Sequence, residues 1–161
     1  MKIIKKDSFN LTMLLLTCIM AICPSSHGQK TNIKNDVFWD TKDGQPIKSQ
    51  GGGIFKFADP ITGVKKYYWY GVNYEETATY RKDPSVTLPN ATFESVTCYT
   101  STDLVNWTFE ADVLTKAETD KKGKTWVGRL GVAYIKELNK YAMVLQHDNK
   151  VLFAVSDSPT G

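Results

Sequence analysis

Cysteine is scarce in this chain: three occur in 161 residues, and two of them, Cys18 and Cys23, lie in the first apolar run. With that run set aside only Cys98 remains, so no disulfide can close within the rest of the chain, and its fold must rest on a packed core. Sustained apolar runs are equally few. The run at residues 11–23, broken only by Thr12 and Thr17, holds about 13 residues, short of the roughly 20 that cross a bilayer as a helix. Lys2, Lys5 and Lys6 precede it, and Ser26 and Gly28 place small side chains three and one positions before Gln29. That is the layout of a signal peptide over residues 1–28, cut between Gly28 and Gln29. It implies a secreted or periplasmic protein with no membrane span after cleavage. A membrane anchor is the competing reading, and the length of the run argues against it. Acylation at Cys18 is disfavoured by Thr17, which stands where acylated cysteines normally follow Gly, Ala or Ser.

A charge of one sign is missing too. The leader carries three of the 20 basic and one of the 17 acidic side chains, which leaves 17 and 16, a net charge of +1. That balance gives no electrostatic case for nucleic acid or for an anionic membrane surface. The remaining 133 residues suit one modest domain.

Helical patterning is absent as well, and strand chemistry replaces it. After a polar lead-in at residues 29–36, order is expected from Val37, with Asp43-Gly44 and Pro46 marking a turn. Short runs rich in β-branched and aromatic residues then recur at 52–57, 66–72, 95–101, 107–113, 130–135, 141–147 and 151–156. Asp59-Pro60-Ile61-Thr62-Gly63, Thr102-Asp103-Leu104-Val105-Asn106, Asn139 and Asp148-Asn149 supply turn residues between them. A polar connection at 117–124 divides the runs into four and three. The halves also match: 53–56 with 131–134, 67–70 with 141–144, and 96–102 with 152–158. A unit of about 50 to 75 residues, each an antiparallel four-stranded sheet, is the pattern of β-propeller blades. Blade 1 is expected at about 51–113 and an incomplete blade 2 at about 130–161. A small two-sheet sandwich is the alternative architecture.

Several strings carry a resemblance to a known family. Gly51-Gly52-Gly53-Ile54 precedes Tyr67-Tyr68-Trp69-Tyr70-Gly71, and the most specific string, Ser101-Thr102-Asp103-Leu104-Val105-Asn106-Trp107, follows. Together with the closing Ser156-Asp157-Ser158-Pro159-Thr160-Gly161, they resemble glycoside hydrolase family 43 over residues 37–161, and within it the branch of exo-acting β-1,3-galactanases. The resemblance implies a five-bladed propeller of which this chain is the N-terminal part. It implies an inverting hydrolysis of galactan-, arabinan- or xylan-class polysaccharide, in which one carboxylic acid protonates the leaving oxygen and a base activates water. It also implies that the general acid comes from a later blade, beyond Gly161.

The expected site residues draw on both lines of argument. A glycine run opening an innermost strand lets backbone or ligand approach closely, although a bulge or tight turn explains it equally well. Where typical family members carry an aspartate base, this chain has Gln50, which can hydrogen-bond a hydroxyl or a water but cannot take a proton. Val72 and Gly128 stand where the galactanase branch often has glutamates, while Arg129 occupies its matching place and offers a planar fork to hydroxyls or a carboxylate. Gln50, Gly51, Gly52, Trp69 and Arg129 are the expected sugar contacts, and Asp40 is the candidate carboxylate close in sequence to the glycine strand. Tyr67, Tyr68, Tyr70 and Trp107 read as packing between blades. His147, beside Asp148-Asn149, reads as a surface group at a turn. No cofactor or metal is expected. The functional expectation is an exported glycosidase; the alternatives are a carbohydrate-binding propeller that has lost its acids, or an inactive fragment.

Overall fold

The computed structural model describes residues 32–119 and 126–161. The leader, its cleavage point and most of the connection at 117–124 lie outside the described residues. The elements in chain order are β1 (Gln50–Ala58), β2 (Lys65–Tyr74), α1 (Thr77–Lys82), β3 (Phe93–Ser101), β4 (Thr108–Thr115), α2 (Lys116–Thr119), β5 (Val127–Ile135), β6 (Lys140–His147) and β7 (Lys150–Ser156). β1 to β4 form one antiparallel meander and β5 to β7 a second, so the fold is all-β with sheets of four and three strands. Each strand expected from the sequence is present, its ends displaced by three residues at most.

The turns form where their chemistry indicates. The Asp59 carboxylate accepts from the backbone of Ile61 (3.1 Å) and Thr62 (2.8 Å), and Gly63 takes the left-handed conformation that closes the turn. Asp103 does the same for Val105 (2.9 Å) and Asn106 (2.8 Å). Those backbone donors, Asn106 first, hold the Asp103 carboxyl well below the usual carboxylate range. Asn139 and Asp148 are left-handed at the two turns of the second sheet.

One apolar cluster spans both sheets: Tyr68, Tyr70, Val72, Val96 and Cys98 from the first join Leu130, Val132, Met143 and Leu145 from the second. The alternation of β2 explains it, since Tyr68 and Tyr70 share a face and each is 1% exposed. Each large side chain so buried contributes about 1.5–3 kcal/mol. Burial also pushes the Cys98 thiol up to about 12, so this cysteine is a packing group and not a nucleophile. In a second cluster Ile47, Tyr99 and Trp107 pack with Trp39, Tyr67 and Trp69, the other face of the same strands.

Three expectations need correction. Trp107 precedes β4 instead of lying within it, and it packs with Ile47 and Trp39 of the leading segment instead of between the sheets. Helices α1 and α2 have no counterpart in the sequence pattern. Neither has a buried residue, and α1 has no side-chain cap, so the apolar period that reveals helices in a sequence is missing. The third repeat match is also one residue out of step. Tyr67 pairs with Ser101 and Tyr141 with Ser156, which makes Ser101 the equivalent of Ser156, where the sequence match sets it against Asp157. The turns agree with the corrected register: the Ser101 hydroxyl accepts from the backbone of Asp103, and the Ser156 hydroxyl from that of Ser158, each at 3.1 Å.

The same register exposes an apolar strip on the second sheet. Val144, Val151, Phe153 and Val155 are 42%, 62%, 73% and 69% exposed. Their equivalents in the first sheet, Tyr70, Val96, Cys98 and Thr100, are all buried. A strip of this kind on an edge strand promotes association. Replacing Phe153→Asp together with Val155→Lys is expected to lower hydrophobic-dye fluorescence and self-association, while the unfolding free energy moves by no more than about 0.5 kcal/mol per site. Unchanged dye binding, or a loss above about 2 kcal/mol in a urea titration, would mean that the strip is packed in solution.

Candidate functional site

The starts of β1 and β5 lie side by side: a Cβ added to Gly51 would sit 3.6 Å from the backbone nitrogen of Arg129. Matching irregularities bring them there. Between Gln50 and Gly53 β1 carries one residue more than its partner, and β5 does the same between Gly128 and Gly131. The bulges hold equivalent left-handed residues, Gly51 at φ 64° and Arg129 at φ 45°. Glycine takes this conformation freely, whereas for arginine it costs of order 1 kcal/mol or more. Gln50, Gly51, Gly52 and Arg129 are all exposed, so the two bulges form one solvent-facing rim.

Close backbone approach fixes the rim. A Cβ on Gly52 would stand 1.8 Å from the Tyr70 carbonyl oxygen, and one on Gly71 would stand 2.1 Å from the Ser49 hydroxyl. The chain leading into β1 is held from behind by β3: the Thr97 hydroxyl donates to the Lys48 carbonyl (2.7 Å), and the Lys48 backbone donates to the Tyr99 hydroxyl (3.0 Å). Tyr74, at the end of β2, donates its hydroxyl to the Val127 carbonyl at 2.6 Å and so ties the first sheet to the start of β5.

The other expected residues sit elsewhere. The Asp40 carboxylate accepts from the Arg81 guanidinium at 2.6 Å, and Asp40 does not line the groove that Gln50 borders. Trp69 packs edge-on against Trp107 (ring centroids 5.2 Å apart) and Trp39 (5.8 Å). Val72 is buried in the inter-sheet cluster, and a Cβ on Gly128 would meet the Trp126 ring at 2.7 Å. His147 is less exposed than a surface turn residue: its Nε2 is buried without a partner and its Nδ1 lies 3.8 Å from Asp148.

The carboxylates that follow β2 and β6 in the chain are already engaged. Glu75 pairs with Lys116 at 2.6 Å, Glu76 accepts from the backbone (2.8 Å) and hydroxyl (2.7 Å) of Thr92, and Asp148 accepts from the Trp126 backbone at 3.0 Å. Among the described residues no group of three or more His, Cys, Asp or Glu is placed to hold a metal ion. Beside Gln50 lies a groove of about 500 Å³, lined by Val72 and Tyr74 of β2, by Thr77, Tyr80 and Arg81 of α1, and by the loop after it. Nothing in the sequence pattern marks this groove, because α1 has no apolar period.

Solved structures similar to this chain are carbohydrate enzymes. An exo-β-1,3-galactanase from Clostridium thermocellum is 26% identical with a TM-score of 0.61, over 80% of this chain and 25% of that one. The chain resembles part of a glycoside hydrolase family 43 structure. A second relative of that family, a β-1,3-galactosidase solved with galactodeoxynojirimycin, is 29% identical with a TM-score of 0.62, over 80% of this chain and 36% of that one. The exo-β-1,3-galactanase of Phanerochaete chrysosporium, solved with galactose, is 26% identical with a TM-score of 0.63, over 81% of this chain and 28% of that one. The chain therefore spans between 25% and 36% of the length of these structures. No protein-family model and no curated protein matches the sequence.

Proposed function

We propose that the two sheets are successive blades of a β-propeller, and that the chain is the leading part of an exported enzyme that hydrolyses β-1,3-linked galactan. The observation that carries the reading is the meeting of Gly51 and Arg129 through equivalent bulges. Head-to-tail packing supports the blades: the face of the first sheet that carries Tyr70 and Cys98 is covered by the second, and the equivalent face of the second, with Val144 and Phe153, is apolar and open. Galactose and β-1,3-galactotriose in the related structures support the substrate class.

In this reading the exposed backbone of Gly51 and Gly52 lets a sugar ring approach the rim, and Arg129 donates to its hydroxyls. Gln50 holds a hydroxyl or the attacking water without accepting its proton. An inverting reaction then draws both its proton donor and the base that takes the water's proton from residues outside this chain. Asp40 and Trp69 take no part in the proposal. The engagement of Glu75, Glu76 and Asp148 favours a second reading, in which the propeller binds galactan without cleaving it.

Retention on β-1,3-galactan, compared with arabinan and xylan and followed by a reducing-sugar assay, tests both readings. The chain is expected to bind galactan preferentially, with Arg129→Ala weakening binding roughly tenfold, or about 1.4 kcal/mol. Sugar release by the full-length protein selects the enzyme, and binding without release selects the binder. Equal retention on all three polysaccharides contradicts both.

A further inference from the structure

The groove beside Gln50 has features that the rim does not use. Its volume of about 500 Å³ falls within the roughly 300–1,000 Å³ typical of small-ligand sites. Phe38 and Tyr80 stand edge to face on its wall, ring centroids 5.9 Å apart, and both are partly exposed, at 43% and 45%. Asn90 adds an exposed amide, and Ser49 lines the groove as well, its hydroxyl buried against Gly71.

Two of the charged groups on this wall are already matched. Arg81 donates to the Trp39 carbonyl at 3.2 Å and to Asp40 at 2.6 Å, and Glu76 accepts from Thr92. The other polar side chains of the lining include the Gln50 and Asn90 amides, the Tyr80 hydroxyl and Lys48, set beside aromatic surface. That combination suits a neutral ring with one apolar face and several hydroxyls. Because Gln50 belongs to both the rim and the groove, a ligand can extend from one into the other without a break.

We infer that this groove is a second sugar subsite, binding the next ring of an oligosaccharide whose terminal ring sits at Gln50 to Gly52 and Arg129. The inference rests on the galactan reading above. It makes Tyr80 and Asn90 determinants of chain-length preference, while Arg129 serves the terminal ring.

Titration of the chain with galactose and with β-1,3-galactotriose tests this directly. Tyr80→Ala and Asn90→Ala are each expected to weaken galactotriose binding roughly five- to tenfold and to leave galactose binding unchanged. Tyr80→Phe is expected to retain binding, because the ring is kept. Arg129→Ala weakens both ligands. If both groove variants bind galactotriose as the parent does while Arg129→Ala still weakens galactose, the second subsite is wrong and the galactan reading stands. If the parent binds neither ligand, the galactan reading fails and the subsite falls with it. Circular dichroism confirms that Tyr80→Ala remains folded, as expected for a residue on a helix with no buried positions.

Discussion

Gly52→Ala is expected to destabilise the chain by about 3–5 kcal/mol, a loss reserved for changes that force backbone apart. A single methyl placed 1.8 Å from the Tyr70 carbonyl oxygen cannot be relieved by a side-chain rotation, because the obstacle is the backbone of the paired strand. Relief requires the bulge to unwind, and that moves Gly51 away from Arg129. Gly63→Ala is the control. Gly63 sits in open space at φ 70°, so alanine there meets only conformational strain, of order 1 kcal/mol. Denaturant unfolding of the two variants should separate them by about 2 kcal/mol or more, by these magnitudes. Equal costs would mean that the close approach at Gly52 is absent in solution.

Trp107→Ala is expected to cost about 3–5 kcal/mol, the range for large aromatics removed from a core. Trp107 is 0% exposed and packs with Trp69, Tyr99 and Ile47, while its carbonyl accepts from the Lys42 backbone at 2.9 Å. Its indole nitrogen is buried without a hydrogen-bond partner. Trp107→Phe keeps most of the ring volume and removes that unpaired donor, so its cost should be smaller by about 1 kcal/mol or more, from the usual penalty of an unsatisfied buried group. A phenylalanine variant as unstable as the alanine one would show that the indole nitrogen has a partner in solution.

The contrast between these residues shows what is legible in the sequence. Strands are readable because β-branched and aromatic runs alternate with Asx and glycine turns, and Asp59 and Asp103 make the turn bonds that their positions imply. The rim is half readable. Gly51 and Gly52 are conspicuous as a glycine run, but their meeting with Arg129 depends on a bulge repeated in β5, set by backbone registers. Trp69 stands in a string that resembles the family's and so reads as a sugar contact, and only the packing of Trp39 and Trp107 against it reveals its place in a cluster of rings. The groove is not readable at all. It depends on α1, six residues without a buried face, held to the leading segment by Arg81 through the carbonyls of Trp39 and Ile47.

In the proposed enzyme two equivalent bulges converge on one sugar-facing rim. Backbone amide NMR of the chain titrated with galactose reads that convergence residue by residue. The largest shift changes are expected on Gly51, Gly52 and Arg129 together, and they should disappear in the Arg129→Ala variant. Changes confined to other surfaces, or none at galactose concentrations that saturate a related galactanase, would contradict it.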